Sequence, residues 1–201
     1  MYKTSIKPEE IEMLELGCFS GETRIIDAEG TLFDDAVAYL SKQKMIGFDT
    51  ETRPVFSPRQ HHNGVAILQL SGPERAFLFR VQRLGLPKKL CRVLSDPRII
   101  KIGAACHDDV RALQRISPFK ELGYVDLQKI VWEWGIADKS VKKMAAIILG
   151  CKISKTQQVS NWEAERLTEA QVKYAATDAW VCLEMYKKLL ASEKNPLPLT
   201  I

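Results

Sequence analysis

One hexapeptide, Ile46-Gly47-Phe48-Asp49-Thr50-Glu51, limits what this chain can become more than any other stretch. Met45 and Ile46 read as the start of a buried strand, and the side chains of a strand alternate between its faces. Phe48 therefore points one way, and Asp49 and Glu51 together point the other. Two neighbouring carboxylates at the end of an apolar strand are costly unless something cationic sits between them. An isolated D-x-E of this kind is usually a solvated strand end. The sharper alternative is a metal site on a rigid strand, and it requires further acids elsewhere.

With 201 residues the chain is long enough for one domain with a full core. Its charged fraction of 27% and hydrophobic fraction of 46% are those of an ordinary soluble globule. No apolar run approaches the ~20 residues that span a bilayer. Glu9, Glu10, Glu12 and Glu15 are wrong for a signal or transit peptide. Five scattered cysteines without C-x-x-C spacing argue for reduced thiols in a cytoplasmic compartment and against structural zinc. The net charge of +4 permits a phosphate-bearing partner without demanding one.

Residues 1–23 read as a peripheral segment, with Pro8 suited to a first helical turn. Arg24–Asp27 suggests a short strand, and the spacing of Phe33, Ala36, Val37 and Leu40 predicts a helix over Phe33–Lys42. A polar loop over Thr52–Gly64 carries His61-His62, which lack a third metal ligand at suitable spacing. Val65–Leu70 and Ala76–Phe79 form a hairpin pattern. A helix over Leu86–Leu94, a strand over Ile99–Gly103, a helix over Asp108–Ile116 and a strand over Gly123–Leu127 follow. From Lys129 the chain reads as helical with loops. Neither repeats nor a low-complexity linker divide it. The pattern is that of a single α/β domain with a mixed sheet, spanning 24–192 and followed by a tail at 193–201.

Two further segments supply acids. In His107-Asp108-Asp109, Asp109 shares the apolar helical face with Ala112, Leu113 and Ile116, whereas Asp108 sides with Arg111 and Arg115. Asp109 thus points inward and Asp108 suits a helix cap. Thr168-Glu169-Ala170-Gln171 is a capping box that opens the last helix. Beyond it, Tyr174, Asp178, Val181 and Met185 lie on one face. A phenol and a carboxylate one turn apart can form a structural hydrogen bond, or serve a site. Asp49, Glu51, Asp109 and Asp178 together make four acids on three inward-facing elements. Burying them uncompensated costs several kcal/mol per ion, and oxygen-only ligands select hard cations such as Mg²⁺ or Mn²⁺.

In order and spacing these motifs resemble the DEDD superfamily of 3′→5′ exonucleases, in its tyrosine-bearing branch. The resemblance runs through Phe48-Asp49-Thr50-Glu51, Val65–Leu70, Lys101-Ile102-Gly103 with Asp109 and Leu113, and Tyr174–Ala179. Val159-Ser160-Asn161-Trp162 and Leu167–Gln171 are similar to ribonuclease D and to the exonuclease domain of Werner-type helicases. The resemblance implies a ribonuclease H-like mixed sheet flanked by helices, and a two-metal hydrolysis of nucleic acid from its 3′ end. It implies Asp49 bridging both ions, Glu51 and Asp178 completing the tighter one, Asp109 supporting the second, and Tyr174 orienting the attacking water. Thr50, Lys101, Asn161 and Trp162 are expected to contact substrate. Arg111, Lys142, Lys143, Lys152 and Lys155 are, with Lys101, the candidate phosphate contacts. Unlike ribonuclease D, the chain carries no helical domains after the catalytic one, which reads as a free-standing catalytic domain acting on DNA or RNA 3′ ends. The loop over 53–63 departs from the ribonuclease D pattern. The alternative is an inactive module of the same fold that grips nucleic acid or protein. Such a module is expected to lose acids, and here all four and the tyrosine are present.

Overall fold

Apolar strands, those over Val65–Ser71 and Arg75–Arg80 buried on both faces, generate the sheet. The computed structural model describes residues 1–53 and 64–198. The expected polar loop with His61 and His62, apart from its ends, lies outside these residues. Six strands are described: β1 (Glu22–Ile26), β2 (Met45–Thr52), β3 (Val65–Ser71), β4 (Arg75–Arg80), β5 (Ile100–Gly103) and β6 (Tyr124–Asp126). They lie in the order β1-β4-β3-β2-β5-β6. β2, β3 and β4 pair antiparallel, β5 runs parallel to both β2 and β6, and β1 runs parallel to β4. The mixed sheet is thus the expected one, and β2 sits inside it.

Helices cover both faces. α1 (Pro8–Glu12), α2 (Thr31–Ser41), α3 (Val81–Leu84), α4 (Lys88–Ser95), α5 (His107–Gln114), α6 (Leu127–Ile130), α7 (Val141–Leu149) and α8 (Glu169–Leu190) follow in chain order, with a 3₁₀ turn at Val131–Trp134. Phe48, Leu68, Leu70, Phe77 and Phe79 project from one face onto Phe33 and Leu40 of α2, Leu90 and Leu94 of α4, and Leu113 of α5. Ile102 projects from the other face onto Met144 and Ile148 of α7 and Val181 and Met185 of α8. Strand alternation therefore decides which helices each residue meets.

α8 starts where its sequence says it must. The Thr168 hydroxyl accepts from the Gln171 amide at 3.2 Å, and the Gln171 side chain accepts from the Thr168 amide at 2.9 Å. The helix then crosses β2 at very close range, because Gly47 has no side chain. A Cβ there would lie 1.8 Å from the Ala179 carbonyl oxygen. A glycine inside a strand is the usual mark of such an approach.

Several boundaries differ from the sequence reading. The helix expected over 86–94 starts only at Lys88, behind Pro87, and a separate short turn, α3, precedes it, closed by Gly85 at φ 67°. Glycine accepts that left-handed conformation and proline ends the extended link, so the expected helix corresponds to α4 and α3 is an additional turn before it. The strand expected to reach Leu127 stops at Asp126, whose carboxylate caps the Gln128 amide and turns the chain into α6. α5 begins at His107 with Cys106 at its N-cap and no side-chain cap bond, so Asp108 does not cap it. Ile116 lies past its end and is exposed.

Candidate active site

Asp49 and Glu51 occupy alternate positions at the C-terminal end of β2, on the sheet face that α8 crosses. In register they oppose Gln69 and Ile67 of β3. The contact at Gly47 brings the next part of α8 down beside them, and Asp178 arrives at the same spot. One oxygen from each of Asp49, Glu51 and Asp178 can be chosen so that all lie within 4.8 Å of one another. Three like charges this close repel strongly unless protonated or bridged by a cation.

The electrostatics record that conflict. Desolvation pushes the Asp49 carboxyl well up, and Asp178 and Asp109 push it further. Glu51 is raised to about 9, by burial first and then by Asp49, Asp178 and Asp109. Asp178 is raised to about 7 by burial, against the downward pull of a hydrogen bond from the Tyr174 hydroxyl and of nearby Lys155. Burial also holds the Tyr174 phenol above its ordinary value, with the neighbouring carboxylates adding to it. A divalent cation would relieve the repulsion that all three carboxylates share, and an all-oxygen donor set suits Mg²⁺ or Mn²⁺.

Asp109 stands outside that triplet. It projects from α5, on the opposite side of the sheet, and is half-buried while Asp108 is exposed. The Thr50 hydroxyl, pointing away from Asp49 and Glu51, donates to the Asp109 carboxylate at 2.6 Å. This bond pulls Asp109 down while burial, the larger effect, raises it. One strand thus supplies two acids on one side and the tether of a further acid on the other.

A cavity of about 350 Å³ opens over these groups, lined by Asp49, Thr50, Glu51, Tyr174 and Asp178 together with Ala104, Ser140, Ile153, Ser154, Lys155 and Gln158, among others. Of the six basic side chains considered for phosphate, Lys155 alone lines it. Lys142 and Lys152 pair with Glu12, Lys143 pairs with Asp138, and Arg111 lies exposed on α5.

Two expected substrate contacts are corrected. Lys101 is fully buried, in register with Ile46 on the far face of the sheet. Its ammonium donates to the Asp96 and Ile99 carbonyls at 2.8 and 2.7 Å and lies 4.9 Å from the Tyr124 ring centroid. Burial lowers its pKa to about 8. Strand alternation sends it away from the acids. Trp162 is also fully buried, with its ring centroid 6.0 Å from that of Tyr174. It backs the phenol and offers no face for a base. Asn161 is exposed, and its side chain accepts from the Glu163 amide at 3.2 Å, within the loop that leads to α8. Thr50 lines the cavity, with its hydroxyl turned to Asp109. The sequence reading missed Gly47, whose position inside a strand was the available signal, and the cavity wall formed by Ser140, Ile153 and Ser154, for which no local pattern exists.

A mixed sheet of this order, with acids gathered on a central strand under a crossing helix, is the ribonuclease H-like architecture of nucleases. A sequence model of the 3'-5' exonuclease family matches residues 24–192, and the chain belongs to that family. The mouse exonuclease 3'-5' domain-containing protein 2 is 28% identical over 91% of this chain and 32% of its own length. The mouse bifunctional 3'-5' exonuclease/ATP-dependent helicase WRN is 31% identical over 79% of this chain and 12% of its own. The chain therefore spans a third or less of these curated relatives. Among solved structures, the Aedes aegypti Nibbler EXO domain superposes with a TM-score of 0.75 at 22% identity, covering 87% of this chain and 91% of that one. Escherichia coli RNase D superposes at 0.74 and 22% identity, over 85% of this chain and 44% of its own. At these identities the structural likeness concerns the fold.

Proposed function

We propose that this chain is a divalent-metal-dependent 3′→5′ exonuclease that hydrolyses nucleic-acid phosphodiester bonds and releases nucleoside 5′-monophosphates. The observation that carries this reading is the convergence of Asp49, Glu51 and Asp178 in one cavity, with every carboxyl raised above its ordinary value. Residues 24–192 act as the catalytic unit, with residues 16–18 of the preceding segment packed beside it. Mg²⁺ or Mn²⁺ would be held by Asp49, Glu51 and Asp178, and Asp109, whose charge reaches Asp49 and Glu51, would support a second ion. When bound, the pair supplies Lewis acidity toward the attacking water and the leaving 3′ oxygen.

The protein's own groups do the rest. Tyr174, backed by Trp162, presents its hydroxyl beside Asp178 and orients the attacking water. A phenol whose pKa is raised above ~10 is a hydrogen-bonding group at neutral pH and not a general base. Thr50 keeps Asp109 in place, and Lys155 offers its charge to the phosphate. Nucleic acid as the substrate gains support from two structural neighbours. Trypanosoma brucei RNase D has been solved with RNA U12, and the E. coli enzyme is described as an exoribonuclease involved in structured RNA processing.

End-labelled oligonucleotides test the reading. With Mn²⁺, a 5′ label should yield a descending ladder, and chromatography should identify nucleoside 5′-monophosphates. Binding of the oligonucleotide without any cleavage, under Mg²⁺ and Mn²⁺ alike, would replace the exonuclease with the inactive module.

A further inference from the structure

A second cavity, of about 170 Å³, stands against the catalytic one. The two share Ser154, Tyr174 and Asp178 as a common wall. The far wall is Leu16, Gly17 and Cys18, from a segment that precedes the region matched by the exonuclease family. We propose that this cleft receives the base of the penultimate nucleotide, the one that remains on the strand after cleavage. The proposal rests on the exonuclease reading.

The cleft is prebuilt. Leu16 bridges to Lys152, and the Gly17 amide donates to the Lys152 carbonyl at 2.8 Å. The Lys152 amide donates to the Glu15 carbonyl at 2.9 Å, and the Phe19 amide to the Thr177 hydroxyl at 3.1 Å. Gly17 lies so close to the chain behind it that a Cβ would be 2.6 Å from the Cys151 sulfur. A strap anchored on both sides keeps its shape without ligand, which lowers the ordering cost of binding.

Its chemistry suits a base. Leu16, 57% exposed, puts apolar surface on a cleft that Tyr174 also lines. Bases stack on such surfaces whatever their identity. The hydroxyls of Ser154 and Thr156, 2.9 Å apart, can bond the polar edge of a base. Lys173 in this cleft and Lys155 in the other are exposed and form no ion pair among the described residues, so two cations flank the path of the phosphates. The larger cavity, with all the converging acids, has room for the terminal nucleotide. The smaller has room for little more than a base.

Two surface variants test this. Leu16→Asp removes the stacking wall, and Ala170→Trp, on the exposed first turn of α8, fills the cleft. Steady-state kinetics are compared on a DNA decamer and on thymidine 5′-p-nitrophenyl phosphate, in which the penultimate nucleoside is replaced by nitrophenol. KM for the decamer should rise about 5–150-fold, the value of one stacked base, while the nitrophenyl ester stays within about twofold. Circular dichroism melts confirm that both variants fold. Fluorescence anisotropy with the labelled decamer in EDTA reads binding without chemistry and should show the same weakening. Equal losses on both substrates, or unchanged decamer KM and affinity in both variants, would overturn the proposal. Should the wild type cleave neither substrate, the exonuclease reading falls, and the anisotropy comparison still decides the cleft.

Discussion

Tyr174 and Asp178 sit one helical turn apart and share a hydrogen bond, yet their proposed duties differ, and substitution separates them. Tyr174→Phe keeps the packing on Trp162 and removes one hydroxyl. Cleavage should slow by up to ~10²–10⁴, as for loss of a general acid–base group, with Mn²⁺ affinity nearly unchanged. Asp178→Ala should lose metal affinity as well as rate. Calorimetric Mn²⁺ titration beside single-turnover cleavage reads both, and equal loss of affinity would assign the phenol to the metal site. The aspartate pair on α5 divides in the same way. Asp109→Asn should cripple cleavage, whereas Asp108→Asn should cost at most the ~0.3–1 kcal/mol of a charge near a helix N-terminus. Comparing the two in thermal melts and cleavage assays checks the assignment. The inward phase of Asp109 was legible from its apolar neighbours. Its tether to Thr50 was not, because that bond joins residues 59 positions apart across the sheet.

Between elements, the contact that matters most is the crossing of α8 over β2 at Gly47. Gly47→Ala drives a methyl group into the Ala179 carbonyl. Overpacking of this kind typically costs ~1–3 kcal/mol, and here it also lifts Asp178 away from Asp49. The variant should melt lower and lose cleavage far beyond what its stability explains, measured well below its melting temperature. A variant with wild-type activity would show that the crossing distance is not critical. The capping box announced the start of this helix through a local rule that the structure obeys. The direction of Lys101 was open to the same treatment, since it follows from its parity relative to Gly103 and Ile102, but its place on the far face emerged only with the register to Ile46. Trp162 carried no such signal. It is buried among Ala66 and Ile67 of β3, Leu78 of β4 and Ala175 of α8, residues far from it in sequence.

At the scale of the molecule, the acids link stability to pH and to cations. Asp49, Glu51 and Asp178 have folded pKa values raised above their unfolded ones, so the folded state binds more protons between about 4 and the folded values. Their contribution is fully present below the unfolded pKa and is lost as pH rises through about 7 for Asp178 and about 9 for Glu51. In EDTA, the melting temperature should therefore fall from pH 5 to pH 9, and Asp49→Asn should flatten the fall. Saturating Mg²⁺ should restore stability most at the alkaline end, because a ligand that binds only the folded state stabilises it. Calorimetric melts across that range check the sign. A rise in metal-free stability over the same interval would mean that the carboxylates ionise freely.

The central claim is that these acids form a metal-dependent cutting centre, and one comparison addresses it most directly. A 5′-labelled oligonucleotide is incubated with the wild-type chain and with Asp49→Ala, in Mn²⁺ and in EDTA. Shortening from the 3′ end should occur only for the wild type in Mn²⁺, while Asp49→Ala remains folded and, free of metal, at least as stable. Cleavage by Asp49→Ala at the wild-type rate, or by the wild type in EDTA, would contradict the account.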